Sequence, residues 1–434
     1  MRLKAEPLVS MCEAIVDCPH STPVWTNTGF VVLRNQNIKG GRLDLSSPSY
    51  TDEEHFKQRV RRMAPRAGDI VITREAPMGD VCKIPEGLIC CLGQRQVLLR
   101  PKAGVNPDYL LYALQSPSVQ DQIRWNEGTG STVSNIRIPV LEKIEIPRLG
   151  QAEGPVAAAL KSVDDKIDVN RRINQTLEAM AQAIFKSWFI DFDPVKAKIA
   201  AVQEGCDPLP AAMSAISGKP DADLEALAPE QYEQLAATAA LFPDEMEKSE
   251  LGEIPRGWQV QRVGNVLELV YGKALKSTDR QEGNVPVYGS GGITGYHNTP
   301  LVQHGSIIVG RKGTVGSLYW EDEPFFPIDT TYYVRPLAAP LTFCYYAMQT
   351  LGLEKMNTDA AVPGLNRENV YRLELVLPDV SALQKFDLDV STLRKAIRAN
   401  AESNKALANL RDSLLPKLFS GELSVAEAMA EAET

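Results

Sequence analysis

The sequence has few of the features from which a catalyst is read. Its 434 residues contain no GxxxxGK[ST] phosphate loop, no HExxH zinc pair and no GxSxG nucleophile elbow. The four histidines, His20, His55, His297 and His304, show no ligand spacing. The seven cysteines, at positions 12, 18, 82, 90, 91, 206 and 344, are odd in number and irregularly spaced, which excludes a disulfide framework and a CxxC metal pair. Such thiols suit a reduced, cytoplasmic protein. Met1 to Pro7 lacks the apolar core of a signal peptide, and no apolar run approaches the ~18 residues of a membrane span. Excess positive charge is missing too: 46 Lys and Arg stand against 55 Asp and Glu, a net charge of -9 that argues at first sight against a nucleic-acid ligand.

What is present is a globular composition, 44% hydrophobic and 23% charged, in a chain long enough for two or more cores. It also repeats itself. Gly68-Asp69-Ile70-Val71-Ile72-Thr73-Arg74 lies over Gly305-Ser306-Ile307-Ile308-Val309-Gly310-Arg311 at an offset of 237. Tyr109 to Gln115 matches Phe343 to Gln349 at 234, and Ile144 to Pro147 matches Leu375 to Pro378 at 231. The slow drift is that of loops differing by a residue or two.

A helix follows each copy. Val163, Ile167, Asn170, Asn174, Leu177, Ala181, Ile184 and Trp188 alternate spacings of four and three, the seam of a coiled coil. Adding 230 gives Leu393, Ile397, Asn400, Asn404, Leu407, Arg411, Leu414 and Leu418. Both seams carry two asparagines at the same places, where a polar residue lowers stability but fixes register. Asn170 and Asn174 are expected to face Asn400 and Asn404 in an antiparallel pair. Gly154-Pro155 opens the first helix and Asp191 to Pro194 closes it. The second is expected to break near Pro416 and to end at Ser420-Gly421. Between them, residues 200–255 hold 12 acidic residues and only Lys219 and Lys248, which reads as a solvated linker with one or two short helices such as Pro229 to Ala240.

The helical segments carry a resemblance. Ile173-Asn174-Gln175-Thr176-Leu177-Glu178-Ala179-Met180 through Trp188-Phe189-Ile190-Asp191-Phe192-Asp193-Pro194-Val195 resembles the central conserved region of Type I restriction-modification specificity subunits. So do Ser249-Glu250-Leu251-Gly252-Glu253-Ile254-Pro255-Arg256-Gly257-Trp258 and Leu414-Leu415-Pro416-Lys417-Leu418-Phe419-Ser420-Gly421. The resemblance implies an α+β chain with two similar mixed α/β target-recognition domains, residues 1–150 and 251–380. It implies spacer helices over 151–199 and 381–434 that pair as an antiparallel coiled coil with an internal pseudo-two-fold repeat, and an acidic linker over 200–250. Each domain would read half of a bipartite duplex DNA site. The helices would set the spacer and dock two modification subunits that carry S-adenosylmethionine, with restriction subunits joining for cleavage. The chain itself would be non-catalytic. No Asn/Asp-Pro-Pro-Tyr loop of an amino-methyltransferase occurs in it. A helix of about 35 residues at ~1.5 Å each is roughly 52 Å, so half-sites on the order of one DNA turn apart are expected. A duplicated protein-interaction adaptor with a coiled-coil spacer is the alternative.

Base edges and phosphates are contacted by cationic and amide side chains on loops held by a rigid scaffold. The expected DNA contacts in the first domain are the basic run Arg59, Arg61 and Arg62, then Arg74, Ser131 and Thr132. In the second they are Tyr288, Ser290, Asn298, Arg311, Lys312 and Thr314. Trp25 and Trp125 are expected in the core. The charge divides unevenly: residues 1–150 hold 19 basic and 16 acidic residues, whereas residues 200–255 alone carry -10 of the total -9. The recognition modules are thus near neutral. The free chain should bind DNA weakly, with partner subunits supplying much of the phosphate neutralisation.

Overall fold

A computed structural model describes residues 4–125, 135–356, 364–424 and 427. Ser131 and Thr132 lie outside these. The chain divides into two compact units: residues up to Asn170 together with those from Glu402 onward, and residues Arg171–Ala401.

The first unit is built on a sheet of β1 (Cys12–Asp17), β2 (Ile70–Arg74), β3 (Met78–Lys83) and β4 (Gln96–Pro101), in the order β1-β4-β2-β3 and antiparallel throughout. Every residue of β2 is buried, which suits its Ile-Val-Ile run, because a central strand covered on both faces needs no polar alternation. Helix α1 (Pro107–Gln115) packs into the same core. Its start is set by Pro107 at the first turn and by the Asn106 side chain, which accepts from the Asp108 and Tyr109 backbone N–H groups.

The second unit repeats this plan. Its strands β5 (Leu267–Tyr271), β6 (Ser306–Gly310), β7 (Leu318–Glu321) and β8 (Thr331–Pro336) are ordered β5-β8-β6-β7, again antiparallel. Helix α2 (Leu341–Thr350) follows β8 as α1 follows β4, and it packs into the core of its own unit. A second small sheet repeats as well. In each unit a central strand, Phe30–Leu33 or Val285–Gly289, pairs antiparallel with one neighbour and parallel with the other.

Two long helices, Glu153–Phe189 and Val380–Ser420, are shared out between the units. Within the first unit, Asn170 Nδ2 donates to Asn404 Oδ1 at 2.9 Å. Within the second, Asn400 Nδ2 donates to Asn174 Oδ1 at 2.8 Å, and Asn174 Nδ2 donates to the Ile397 carbonyl at 3.1 Å. In both units the partner numbers fall as the first helix rises, so the segments run antiparallel with the asparagines paired as their spacing predicts. The seam arginine, Arg411, is accounted for by the buried Asp164, whose carboxylate it meets at 2.9 Å.

Three expectations are corrected. The domain boundaries at 150 and 380 do not part compact units, because Leu414, Leu418 and Phe419 at the end of the second long helix pack into the core that contains Tyr109, Val156 and Leu160. For the same reason this helix runs on through Pro416 instead of breaking. The proline penalty of about 3 kcal/mol is offset by the burial of those three apolar side chains. The helix ends at Gly421 (φ 74°), where the Glu422 N–H donates to the Lys417 carbonyl and the Gly421 N–H to that of Leu418.

The acidic segment is folded rather than solvated. It forms helices Asp193–Gln203, Pro208–Ser217, Asp221–Leu224 and Pro229–Ala240, with Ala212, Met213, Leu224 and Ala239 buried together. Its alanines favour helix, Pro194, Pro208 and Pro229 sit at first turns, and its acidic side chains are exposed.

All the cysteines except Cys206 are buried. Burial pushes the thiols of Cys12, Cys90 and Cys344 up to about 12 and that of Cys91 up to about 11, so the reactive thiolate is scarce at neutral pH. An aromatic disulfide reagent should therefore titrate one thiol rapidly in the native protein and all seven after denaturation. A second rapid thiol in native conditions would contradict this burial pattern. Among the described residues no helix is long and apolar enough to cross a membrane.

Candidate nucleic-acid interface

The two units present matching rows across their main sheets. In the first, Asp17, Val97 and Ile72 lie side by side on β1, β4 and β2. In the second the corresponding row is Tyr271, Tyr332 and Val309. Two residues beyond the last member of each row stands an arginine, Arg74 or Arg311. Each is fixed by its backbone: the Ile136 N–H donates to the Arg74 carbonyl at 3.0 Å and the Leu365 N–H to that of Arg311 at 2.8 Å. The equivalence read from sequence thus holds for the main chain. The side chains differ.

Arg74 is buried. Its guanidinium donates to Asp17 Oδ2 at 2.7 Å and, through Nε and Nη2, to Asn135 Oδ1 at 3.2 and 3.1 Å. Asn135 in turn donates to Glu75, which faces Arg95 at 3.3 Å. This network consumes the charge internally, so Arg74 is a structural residue and the expectation that it meets DNA is corrected. Arg59 is corrected likewise. It is 7% exposed, and its guanidinium donates to the carbonyls of Leu92, Ser21, Pro19 and Gly93. A basic run on a short helix cannot show by itself that one member turns inward. Arg61 and Arg62 are exposed, and Arg62 donates to the Asp17 carbonyl at 3.3 Å. Trp25 and Trp125, expected in the core, are on the surface at 46% and 88% exposure. The Arg34 guanidinium lies 5.3 Å from the Trp25 ring centre, a stacked pair that charge counting does not disclose.

In the second unit Arg311 is partly exposed and its Nη1 donates to the Asp329 carbonyl at 2.8 Å. Its guanidinium carbon lies 5.0 Å from the Tyr271 ring centre, and that of Arg367 lies at the same distance from the same ring. With Lys312, Tyr332, Leu365 and Glu368 they line a cleft of about 500 Å³. Lys312 and Thr314 are exposed. The loop that carries them folds back tightly: the Gly316 N–H donates to the Gly310 carbonyl and the Gly310 N–H to that of Ser317, both at 2.8 Å. A Cβ on Gly310 would lie 2.0 Å from the Thr314 carbonyl oxygen, so only glycine fits there.

The glycine-rich hairpin is a support for this loop. The Ser290 hydroxyl accepts from the Thr314 N–H at 3.3 Å, and the Ser290 carbonyl accepts from Ser317 at 2.6 Å. Tyr288 is buried, with its hydroxyl donating to Glu321 at 2.9 Å, so it is a core residue and not a DNA contact. Burial, followed by the Glu321 charge, pushes its pKa up. Asn298 is exposed and donates to Gln281 at 2.7 Å. The structure therefore brings together Arg311, Lys312, Thr314 and Ser290 on one side of the unit. It adds Tyr271 and Arg367, which sequence reading missed. Their only sequence signal is placement, Tyr271 at a strand end before Gly272 and Arg367 at the start of a short helix.

The comparisons with known proteins agree with the duplication. The model of the Type I restriction modification DNA specificity domain matches residues 21–179 and again 255–409. The chain is 29% identical over 335 residues to the Type I restriction enzyme HindI specificity subunit of Haemophilus influenzae, covering 68% of this chain and 71% of that one. It is 25% identical over 401 residues to the MjaIX specificity subunit of Methanocaldococcus jannaschii, covering 86% and 82%. The crystal structure of the Type I restriction-modification S subunit from M. genitalium shares the fold, with a TM-score of 0.50 and 18% identity over 96% of each chain. Two matched domains spanning well over half of the sequence place this chain in the Type I restriction-modification DNA specificity family.

Proposed function

We propose that the chain is the non-catalytic, sequence-reading subunit of a Type I restriction-modification complex, each unit recognising one half of a bipartite duplex site. The observation that carries this is the duplicated sheet order, β1-β4-β2-β3 and β5-β8-β6-β7. A module used twice in one chain suits a ligand that is itself pseudo-two-fold. The exposed Arg61, Arg62, Asn298, Lys312 and Thr314 and the partly exposed Ser290 and Arg311 are the DNA-facing candidates, together with Ser131 and Thr132, which lie outside the described residues.

The two long helices set the unread spacer and dock two modification subunits, which bring S-adenosylmethionine; restriction subunits join them for cleavage. Ile173 and Met180 support the docking role, because they stay 41% and 47% exposed between seam positions of the first long helix. Family membership supports DNA over the protein-adaptor alternative.

The test is methylation mapping with the chain assembled on its modification subunits. A bipartite methylated site is expected. Inserting one matched heptad into both long helices preserves the seam and adds about 10 Å, or about three base pairs, to the unread spacer. Both half-sites should stay unchanged. Altered half-sites with an unchanged spacer would defeat the reading.

A further inference from the structure

The cleft around Tyr271 is lined by more cationic than anionic side chains among the described residues. Arg311, Lys312 and Arg367 line it, and among the described residues Glu368 is its one carboxylate. Glu368 is 62% exposed and meets Arg367 Nε at 3.4 Å, a pair that water screens. Two guanidinium groups held 5.0 Å from one neutral ring and lining one cleft make that cleft cationic, which favours an anion there.

The first unit shows how the same scaffold behaves when the arginine is structural. There Asp17 occupies the position of Tyr271, and Arg74 is closed off by that carboxylate at 2.7 Å. In the second unit the aromatic residue orients the guanidinium groups by stacking without neutralising them. Apart from Arg311 Nη1 on the Asp329 carbonyl and Arg367 Nε beside Glu368, their N–H groups can serve a planar or tetrahedral oxyanion, which arginine binds bidentately.

Resting on the reading of the chain as a DNA-recognition subunit, we infer that the Tyr271–Arg311–Arg367 cleft clamps a backbone phosphodiester of the bound DNA. It is a positioning contact in the second unit, and Asp17 closes the corresponding place in the first. Like charges lining one cleft suit an anion bound in it. Reading a base edge needs a single guanidinium held free to face one base.

The experiment uses the full chain assembled with its modification subunits and fluorescent duplexes, one carrying the methylated site mapped in the host and one of shuffled sequence. Affinity is measured over a salt series. Arg367→Gln should weaken both duplexes on the order of tenfold, the loss of one charge-assisted contact. It should also lower the slope of log affinity against log salt by about 0.9, the value for one phosphate. Arg367→Lys should restore most of the slope, because the charge remains, but not the full affinity, because the fork is gone. Arg311→Gln should repeat the loss of slope and guards against a local defect at position 367. An unchanged slope in both glutamine variants overturns the clamp. So does a change in the methylated sequence, which would mean base reading. Failure of the unsubstituted complex to bind either duplex would instead defeat the functional reading itself.

Discussion

Asp164→Ala should destabilise the first unit by about 3–5 kcal/mol, the cost of removing one member of a buried ionic cluster. Asp164 Oδ1 accepts from Arg42 at 2.8 Å and from Arg411 at 2.9 Å, while Oδ2 accepts from the Tyr112 hydroxyl at 2.7 Å. Asp164 is 8% exposed, so water does not replace what is lost. Arg42 keeps Asp168 at 2.7 Å and Arg411 keeps Asp412 at 2.7 Å, but Asp168 is half-exposed and Asp412 exposed. The Tyr112 hydroxyl is left without its acceptor inside the core. Hydrogen exchange read by peptide gives the check. Exchange across α1 (Pro107–Gln115) should accelerate, whereas α2 (Leu341–Thr350) should not change. Equal acceleration of both, or of neither, would count against this role for Asp164.

Phe185→Ala is the counterpart in the second unit and should also cost about 3–5 kcal/mol, here through an unfilled cavity. The Phe185 ring packs against Phe189 and Phe343 at 5.5 Å, Phe386 at 5.8 Å and Tyr346 at 6.1 Å between centres. No charge is involved, so the loss should be insensitive to salt. Exchange should now accelerate across α2 and spare α1. Phe185→Leu should recover much of the loss by filling most of the volume. Two positions on one helix thus stabilise different halves of the protein, one by ionic pairing and one by aromatic packing. A single unfolding midpoint cannot separate them, which is why a peptide-resolved measurement is required.

The architecture was largely legible in the sequence. Repeat offsets survive loop changes, and a four-three spacing with two matched asparagines leaves few alternatives to an antiparallel seam. Pro416 and the acidic segment misled for a shared reason: both are local signals overruled by burial, of Leu414, Leu418 and Phe419 in one case and of Ala212, Met213, Leu224 and Ala239 in the other. The interface was only half legible. Arg74 and Arg311 occupy equivalent places, but the residue that decides each fate arrives from a distant strand. Nothing local to Arg74 announces Asp17, and nothing local to Arg311 announces Tyr271. Arg59 shows the same limit, because its partners are backbone carbonyls, which carry no residue code.

The paired asparagines also constrain how the gene can change. Asn170 meets Asn404 and Asn174 meets Asn400, so each step forward on one helix is matched by a step back on the other. A codon gained in one helix alone rotates the rest of that seam by about 100° and sets amides against leucines. Surviving length variants should therefore arise as compensated changes in both halves of the gene, in multiples that restore the seam. Substitutions in the loops around Arg311 carry no such obligation, so the loops proposed to face DNA are free to drift while helix length moves only in coordinated jumps.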